Sequence, residues 1–156
     1  MLGRTYDDLN CSVARTLELI GERWTVLVLR EAFLGRRRFD EMAAELGVAR
    51  NILTARLARL VEEGVLEKVP YRERPRRFEY RLTEKGVDLW PVLVSLLQYG
   101  DRYYAPHGPP LVLTHKTDGG AVDGHRCCER CGAKLTARDV RAQPGPGAIS
   151  AEAPAA

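Results

Sequence analysis

Two short clusters carry the residue types that hold metals. His115-x-x-Asp118-Gly119 precedes Cys128-x-x-Cys131-Gly132. A CxxCG turn presents two thiolates to one ion, as in half of a zinc ribbon. The first cluster repeats its spacing and its glycine, and so could supply an imidazole and a carboxylate as the other half. The candidate metal ligands are therefore His115, Asp118, Cys128 and Cys131, with His125 and Cys127 as spares. Zinc is the one cofactor these residues suggest, in a structural role. The alternative is a flexible, metal-free tail with a reducible thiol pair. A fourth cysteine, Cys11, stands just before the first helical pattern, where a helix N-terminus favours a thiolate. It reads either as a redox-sensing thiol or as a small residue at a subunit interface.

Arginine supplies the other chemistry. The chain has 156 residues and a net charge of only +3. The charge is unevenly spread: from Arg36 to Arg77 there are 11 Lys/Arg and 7 Asp/Glu. Clustered arginines of this kind form an electrostatic footprint for nucleic acid. No Gly-rich phosphate loop, nucleophile elbow or paired-histidine motif occurs, which argues against an enzyme. The first ten residues, MLGRTYDDLN, are polar where a secretory leader would be apolar. The apolar runs are too short to span a bilayer, so the expected location is the cytoplasm.

These residues need elements to position them. Residues 1–10 read as an arm. Asn10 or Ser12 can cap a helix bearing Val13, Leu17 and Ile20 at helical spacing. A second helix is expected over about 23–34, with Trp24, Leu27, Val28 and Ala32 inward. Arg36-Arg37-Arg38 form a turn. A short helix spans about 39–46, and another about 50–63. Gly47 and Gly64 stand where a helix C-terminus needs a left-handed residue. Residues 65–71 and 78–82 read as strands joined by a polar RERPRR loop. Thr83 caps a long helix over about 84–104, which Pro91 should kink. The expected fold is mainly α with a small β-hairpin wing: a winged helix-turn-helix over 11–105, with a small Cys/His extension over 106–141. Residues 142–156 lack a core-forming pattern and read as a disordered tail.

On the helix over 50–63, Leu53, Leu57 and Leu60 share one face, which must be core. Asn51, Ala55, Ala58 and Glu62 lie opposite, flanked by Thr54 and Arg59. The two alanines let the backbone approach a groove floor. Asn51 can pair with adenine, and Thr54 can reach a base edge or a phosphate. Arg50 can meet phosphates at the helix N-terminus. Arg56 lies toward the core flank. Arg72, Arg74, Arg76 and Arg77 in the hairpin loop can lie on phosphates or enter a narrow minor groove.

The chain resembles the HxlR-type, MarR-like winged helix-turn-helix regulators. Three blocks carry the resemblance: CSVARTLELIGERWTVLVLREAFLGRRRFDEM at 11–42, GVARNILTARLARLVEEGVLEK at 47–68, and YRLTEKGVDLWPVLVSLLQYGDRY at 80–103. It implies a cytoplasmic, dimeric repressor or activator whose first and last helices make the dimer contacts. Val13, Leu17, Trp90, Leu93, Leu97 and Tyr104 are then expected to bury against a second copy. Ala49 departs from the usual Ser or Thr cap, and Tyr99 stands where many relatives have Trp. The resemblance implies oxidant or electrophile sensing at Cys11. Longer relatives carry HxxCG where this chain has Asp118.

The expected function is sequence-specific binding of double-stranded DNA by a homodimer on a palindromic operator, responsive to a small molecule or to thiol oxidation. A small molecule could sit in an apolar pocket lined by Trp24, Trp90, Tyr99, Tyr103 and Tyr104, although such aromatics also serve as core or dimer interface. The competing reading is a winged helix that contacts only other proteins.

Overall fold

The structure is a computed structural model and describes residues 5–6 and 9–148. The rest of the expected arm, and residues 149–156 of the expected tail, lie outside the described residues. The chain divides into two compact units, Met1–Asp88 and Leu89–Ala156.

In the first unit the order is α1 (Ser12–Ile20), α2 (Thr25–Phe33), α3 (Phe39–Leu46), α4 (Arg50–Glu62), β1 (Leu66–Glu73), β2 (Arg76–Leu82) and α5 (Glu84–Val87). This is the expected winged helix-turn-helix. Its core is made by Val28, Leu29, Met42, Leu53, Leu57, Leu60, Val65 and Leu66, all nearly or fully buried. Burying each of the three α4 leucines contributes about 1.5–3 kcal/mol, which fixes the rotation of that helix about its axis. Gly47 ends α3 at φ 59° and Gly64 follows α4 at φ 69°, the left-handed conformation expected of both. Thr83 caps α5 by accepting from the Gly86 N–H at 3.1 Å.

Several expectations change. Cys11, not Asn10 or Ser12, is the N-cap of α1, and no side chain caps that helix. Of the positions expected inward on α2, Val28 and Ala32 are buried, whereas Trp24 and Leu27 are only half-buried. Leu29 and Glu31 are buried instead. The hairpin strands extend further than expected and pair antiparallel from Leu66↔Leu82 to Glu73↔Arg76, with an irregularity between Pro70 and Arg72. Only Arg74 and Pro75 remain as the turn. Arg38 bridges Glu79, and the Tyr80 N–H donates to the Arg37 carbonyl at 2.8 Å, so the chain ahead of α3 adds to the wing's edge.

In the second unit the order is α6 (Trp90–Tyr104), β3 (Leu111–His115) and β4 (Val140–Pro144). The expected single helix over 84–104 is two helices. Pro91 falls in the first turn of α6, where its missing N–H forfeits no helical bond. Residues 142–144, expected to be patternless tail, pair in β4 with Leu111–Leu113 of β3. The end of β3 and the segment between these strands carry the Cys/His cluster.

Candidate nucleic-acid interface

The turn Gly47-Val48-Ala49 sets α4 against α3. Val48 is buried and anchors the turn. With Leu53, Leu57 and Leu60 held inward, the opposite face of α4 is exposed: Asn51, Thr54, Ala55, Ala58 and Arg59. Ala49 offers no side-chain cap. The Arg50 and Asn51 N–H groups at the start of α4 therefore keep their capacity for an anion, whereas the Ile52 N–H donates to the Ala49 carbonyl at 3.0 Å. The Thr54 hydroxyl donates to the Arg50 carbonyl at 2.8 Å, so it faces outward as an acceptor.

Between α3, the start of α4 and the wing lies a groove of about 490 Å³. Arg38, Arg50, Lys68, Arg76 and Arg77 line it, together with the aromatic rings of Phe39, Tyr71, Phe78 and Tyr80. All of these cations but Arg77 rest on the rings. The Arg38 guanidinium carbon lies 4.7 Å from the Tyr71 ring centre, Arg50 lies 4.6 Å from Phe39, and Lys68 Nζ lies 4.3 Å from Phe78. Stacking of this kind restricts long side chains before any phosphate arrives. Two acids, Asp40 and Glu41, also line the groove, and Arg50 Nη1 sits 3.0 Å from Asp40 Oδ1. Burial pushes the Tyr80 hydroxyl pKa above its ordinary value, so the ring adds no negative charge at neutral pH.

The anticipated site residues thus fall into three groups. Arg50, Arg76 and Arg77 share the groove. Asn51 and Thr54 stand on the exposed face of α4, while Arg72 and Arg74 belong to the wing tip, where Arg72 Nε donates to the Arg74 carbonyl at 3.1 Å. Arg59 is a weaker member. It is bound by Glu62 at 2.9 Å and Glu63 at 2.7 Å, and both hold its pKa above the ordinary value. Arg56 pairs with Glu22 at 3.2 Å, in keeping with its place on the core flank. Sequence reasoning did not single out Arg38 or Lys68 for this groove. Arg38 was visible in the Arg36–Arg38 run, but its platform, Tyr71, is known only once the wing folds back.

The cysteines and the aromatic residues also find their places. Cys11 is exposed. His115, Asp118, Cys128 and Cys131 bring one donor atom each to within 4.8 Å of the others. His125 and Cys127 do not join them. The Asp118 carboxyl lies well below the ordinary carboxylate range. The Gly120 N–H contributes most, and the Cys131 thiol next. Tyr99 and Tyr103 belong to α6. They stand exposed on α6 with ring centres 4.9 Å apart, and Tyr104 is 75% exposed. Trp90 is already buried within the chain, so it is not available to a second copy; Leu93 and Leu97 are half-buried.

Residues 19–108 match the HxlR-like helix-turn-helix family. The chain belongs to this family. It is 53% identical over 137 residues to a protein of Mycobacterium tuberculosis named an HTH-type transcriptional regulator, with 87% of each chain covered. It is similar to the crystal structure of PA1607, described as a transcription factor, at 44% identity and a TM-score of 0.68. That match covers 85% of this chain and 93% of the other. The redox regulator HypR in its reduced form matches at 28% identity and a TM-score of 0.56, covering 59% of this chain and 92% of the other. This HxlR-like protein is therefore a transcriptional regulator with a winged helix-turn-helix DNA-binding fold. No helix among its described residues is long and apolar enough to cross a membrane. The family match ends ahead of the His115–Cys131 cluster.

Proposed function

We propose that this HxlR-like protein acts as a homodimer on a palindromic operator, reading bases with α4 and gripping phosphates with the wing. The observation that carries this reading is the exposed face of α4, with Asn51, Thr54, Ala55 and Ala58, beside a groove lined by five cations. Small residues allow close approach to a major-groove floor, and Asn51 supplies paired donor and acceptor groups for adenine. The dimer reading rests on two apolar stripes. Val13 and Leu17 lie one turn apart on the exposed side of α1, and Val92, Leu96, Tyr99 and Tyr103 lie exposed on α6. These four α6 side chains fall within about 60° of one another around the helix axis. Two-fold pairing would present two reading helices to half-sites one DNA turn apart.

Thiol oxidation is the effector reading favoured here. Cys11 is exposed at the N-terminal end of α1, beside the Val13–Leu17 stripe, and a structural relative is a redox regulator. Genome-wide footprinting of the tagged protein, followed by gel-shift titration of the recovered sites with and without peroxide, tests the whole reading. Palindromic sites whose affinity responds to peroxide in the parent and not in Cys11→Ser support it. Recovery of protein partners without DNA sites would favour a protein-contact module instead.

A further inference from the structure

The second unit holds a cluster that the DNA-reading surface does not use. His115 Nδ1 lies 3.2 Å from Asp118 Oδ1 and 3.6 Å from Cys131 Sγ. Cys128 Sγ lies 3.2 Å from the same Asp118 oxygen. All four cysteines of the chain are free thiols, so Cys128 and Cys131 are not paired to each other. We propose that His115, Asp118, Cys128 and Cys131 bind one zinc ion in a closed tetrahedral site that organises residues 111–144.

The distances suit that ion. Zinc–sulfur bonds of about 2.3 Å and zinc–nitrogen or zinc–oxygen bonds of about 2.0 Å give a tetrahedron with edges of roughly 3.3–3.8 Å. Three of the separations, 3.2–3.6 Å, match these edges, and all four donor atoms lie within 4.8 Å of one another, so the longest edges must close by about 1 Å on binding. The donor types discriminate as well. Two thiolates and an imidazole suit zinc and exclude magnesium or calcium, which take oxygen ligands. With four protein ligands no coordination position stays open, so the role is structural and not catalytic.

The backbone is built as two copies of one turn. Gly119 N–H donates to the His115 carbonyl at 2.9 Å, and Gly132 N–H donates to the Cys128 carbonyl at 2.8 Å. Both glycines are left-handed, at φ 72° and 71°. Each turn therefore delivers a ligand pair, His115 with Asp118 and Cys128 with Cys131, with the same geometry. Gly120 lets the turns close on each other: a Cβ there would come 2.4 Å from Cys128 Sγ. The segment has a backbone ladder and turn hydrogen bonds but a small apolar core. Its buried apolar side chains are Cys128, Leu135 and Val140. A core that small ordinarily needs a metal or a disulfide as a staple. Binding releases the two thiol protons to solvent, and its free energy is largely folding energy of the segment.

The test uses the full chain, purified under reducing conditions without a metal-chelating resin. Elemental analysis should find about one zinc per chain. Cobalt(II) added to the stripped protein should give the intense visible bands of a tetrahedral ion and a thiolate charge-transfer band. With zinc bound, Cys11 and Cys127 should react quickly with a thiol reagent, and Cys128 and Cys131 only after chelation. Cys131→Ser should lower zinc affinity by at least tenfold. If that variant misfolds, Asp118→Cys decides: it should keep the stoichiometry, bind zinc more tightly and strengthen the cobalt charge-transfer band. A chain that takes up neither zinc nor tetrahedral cobalt overturns the site. So does equal metal content in a Cys128→Ser/Cys131→Ser variant.

Discussion

Arg36 Nη1 donates to Glu31 Oε2 at 2.8 Å, and the Glu31 side chain is wholly buried. Its other oxygen accepts from Arg30 Nε at 2.7 Å. Arg36 reaches onward to Glu45 at 3.2 Å. The first arginine of the Arg36–Arg38 run therefore ties the end of α2 to α3 and is not offered to a ligand. Removing one partner of a buried ion pair leaves an uncompensated charge and costs about 3–5 kcal/mol. Arg30 still pairs with Glu31 and Arg36 is a third exposed, so Arg36→Ala should cost less than that, about 1–3 kcal/mol. In a unit of this size that lowers Tm by roughly 4–24 °C. A thermal melt shifted by less than roughly 4 °C would mean that Glu31 has found another way to be satisfied.

The wing arginines should act in the opposite way, on binding and not on folding. Arg74, Arg76 and Arg77 are exposed and make no ion pair among the described residues. Arg76→Ala and Arg77→Ala should weaken binding to every DNA sequence alike. Each phosphate left without its arginine should flatten the plot of log affinity against log salt by about 0.9. Anisotropy titrations at several salt concentrations measure this. An unchanged slope in the double variant would remove the wing from the interface.

On the reading helix the two polar residues should differ. Asn51 is exposed and can make a bidentate pair. Asn51→Ala should cost about 1–3 kcal/mol on the operator and much less on random DNA. Thr54 has committed its proton to the Arg50 carbonyl, leaving only acceptor capacity and its methyl group. Thr54→Val keeps the methyl and should therefore cost less than Asn51→Ala. Equal losses on operator and random DNA for Asn51→Ala would mean that it touches only the backbone.

Much of this surface was legible because α4 has a strong period. Three leucines at helical spacing, with Gly47 and Gly64 at its flanks, determine both its ends and its inner face. The hairpin was less legible. Arginine is no strand former by composition, yet on a two-stranded ribbon both faces can meet water, so the ladder runs on through Arg72, Arg76 and Arg77. Pro70 is tolerated for a related reason, since β1, which carries it, keeps an open edge. The β3–β4 pair was not legible at all: its strands have five residues each and lie far apart in sequence, and β4 contains a proline. The burial of Glu31 was equally hidden, because its partners are the adjacent Arg30 and Arg36 from the turn after α2, neither of them at helical spacing. The Cys/His cluster stood out because its two turns repeat a spacing and a glycine.

Arg50 shows how the groove limits its own affinity. Its guanidinium is shared between Asp40 at 3.0 Å and the face of Phe39. An incoming phosphate must displace or share with that carboxylate. Exposed pairs of this kind are worth about 0.2–1 kcal/mol. Asp40→Asn should therefore tighten DNA binding by about 1.4- to 5-fold at low salt, with less gain at high salt. Gel-shift titration at two ionic strengths measures it. A variant that binds more weakly would show that Asp40 positions Arg50 and does not compete for it.

The apolar stripe on α6 makes the dimer reading testable without touching the reading surface. Val92, Leu96, Tyr99 and Tyr103 are exposed although they lie on one side of a 15-residue helix. Val94 on the same helix is buried, so the helix has a covered face as well. A charge within the exposed stripe would be desolvated without a partner in a two-fold interface, where each substitution occurs twice. Leu96→Glu should therefore give a monomer by light scattering at micromolar concentration, with an unchanged far-ultraviolet dichroism spectrum. Half-site binding should survive, because Asn51 and the wing are untouched. Affinity for a full palindrome should fall to that of a half-site, because the second reading helix is no longer tethered to the first. A parent protein that is already monomeric at that concentration and still binds the full palindrome would sink the dimer. A Leu96→Glu variant that stays dimeric would move the interface to the Val13–Leu17 face of α1, where Leu17→Glu is the matching test.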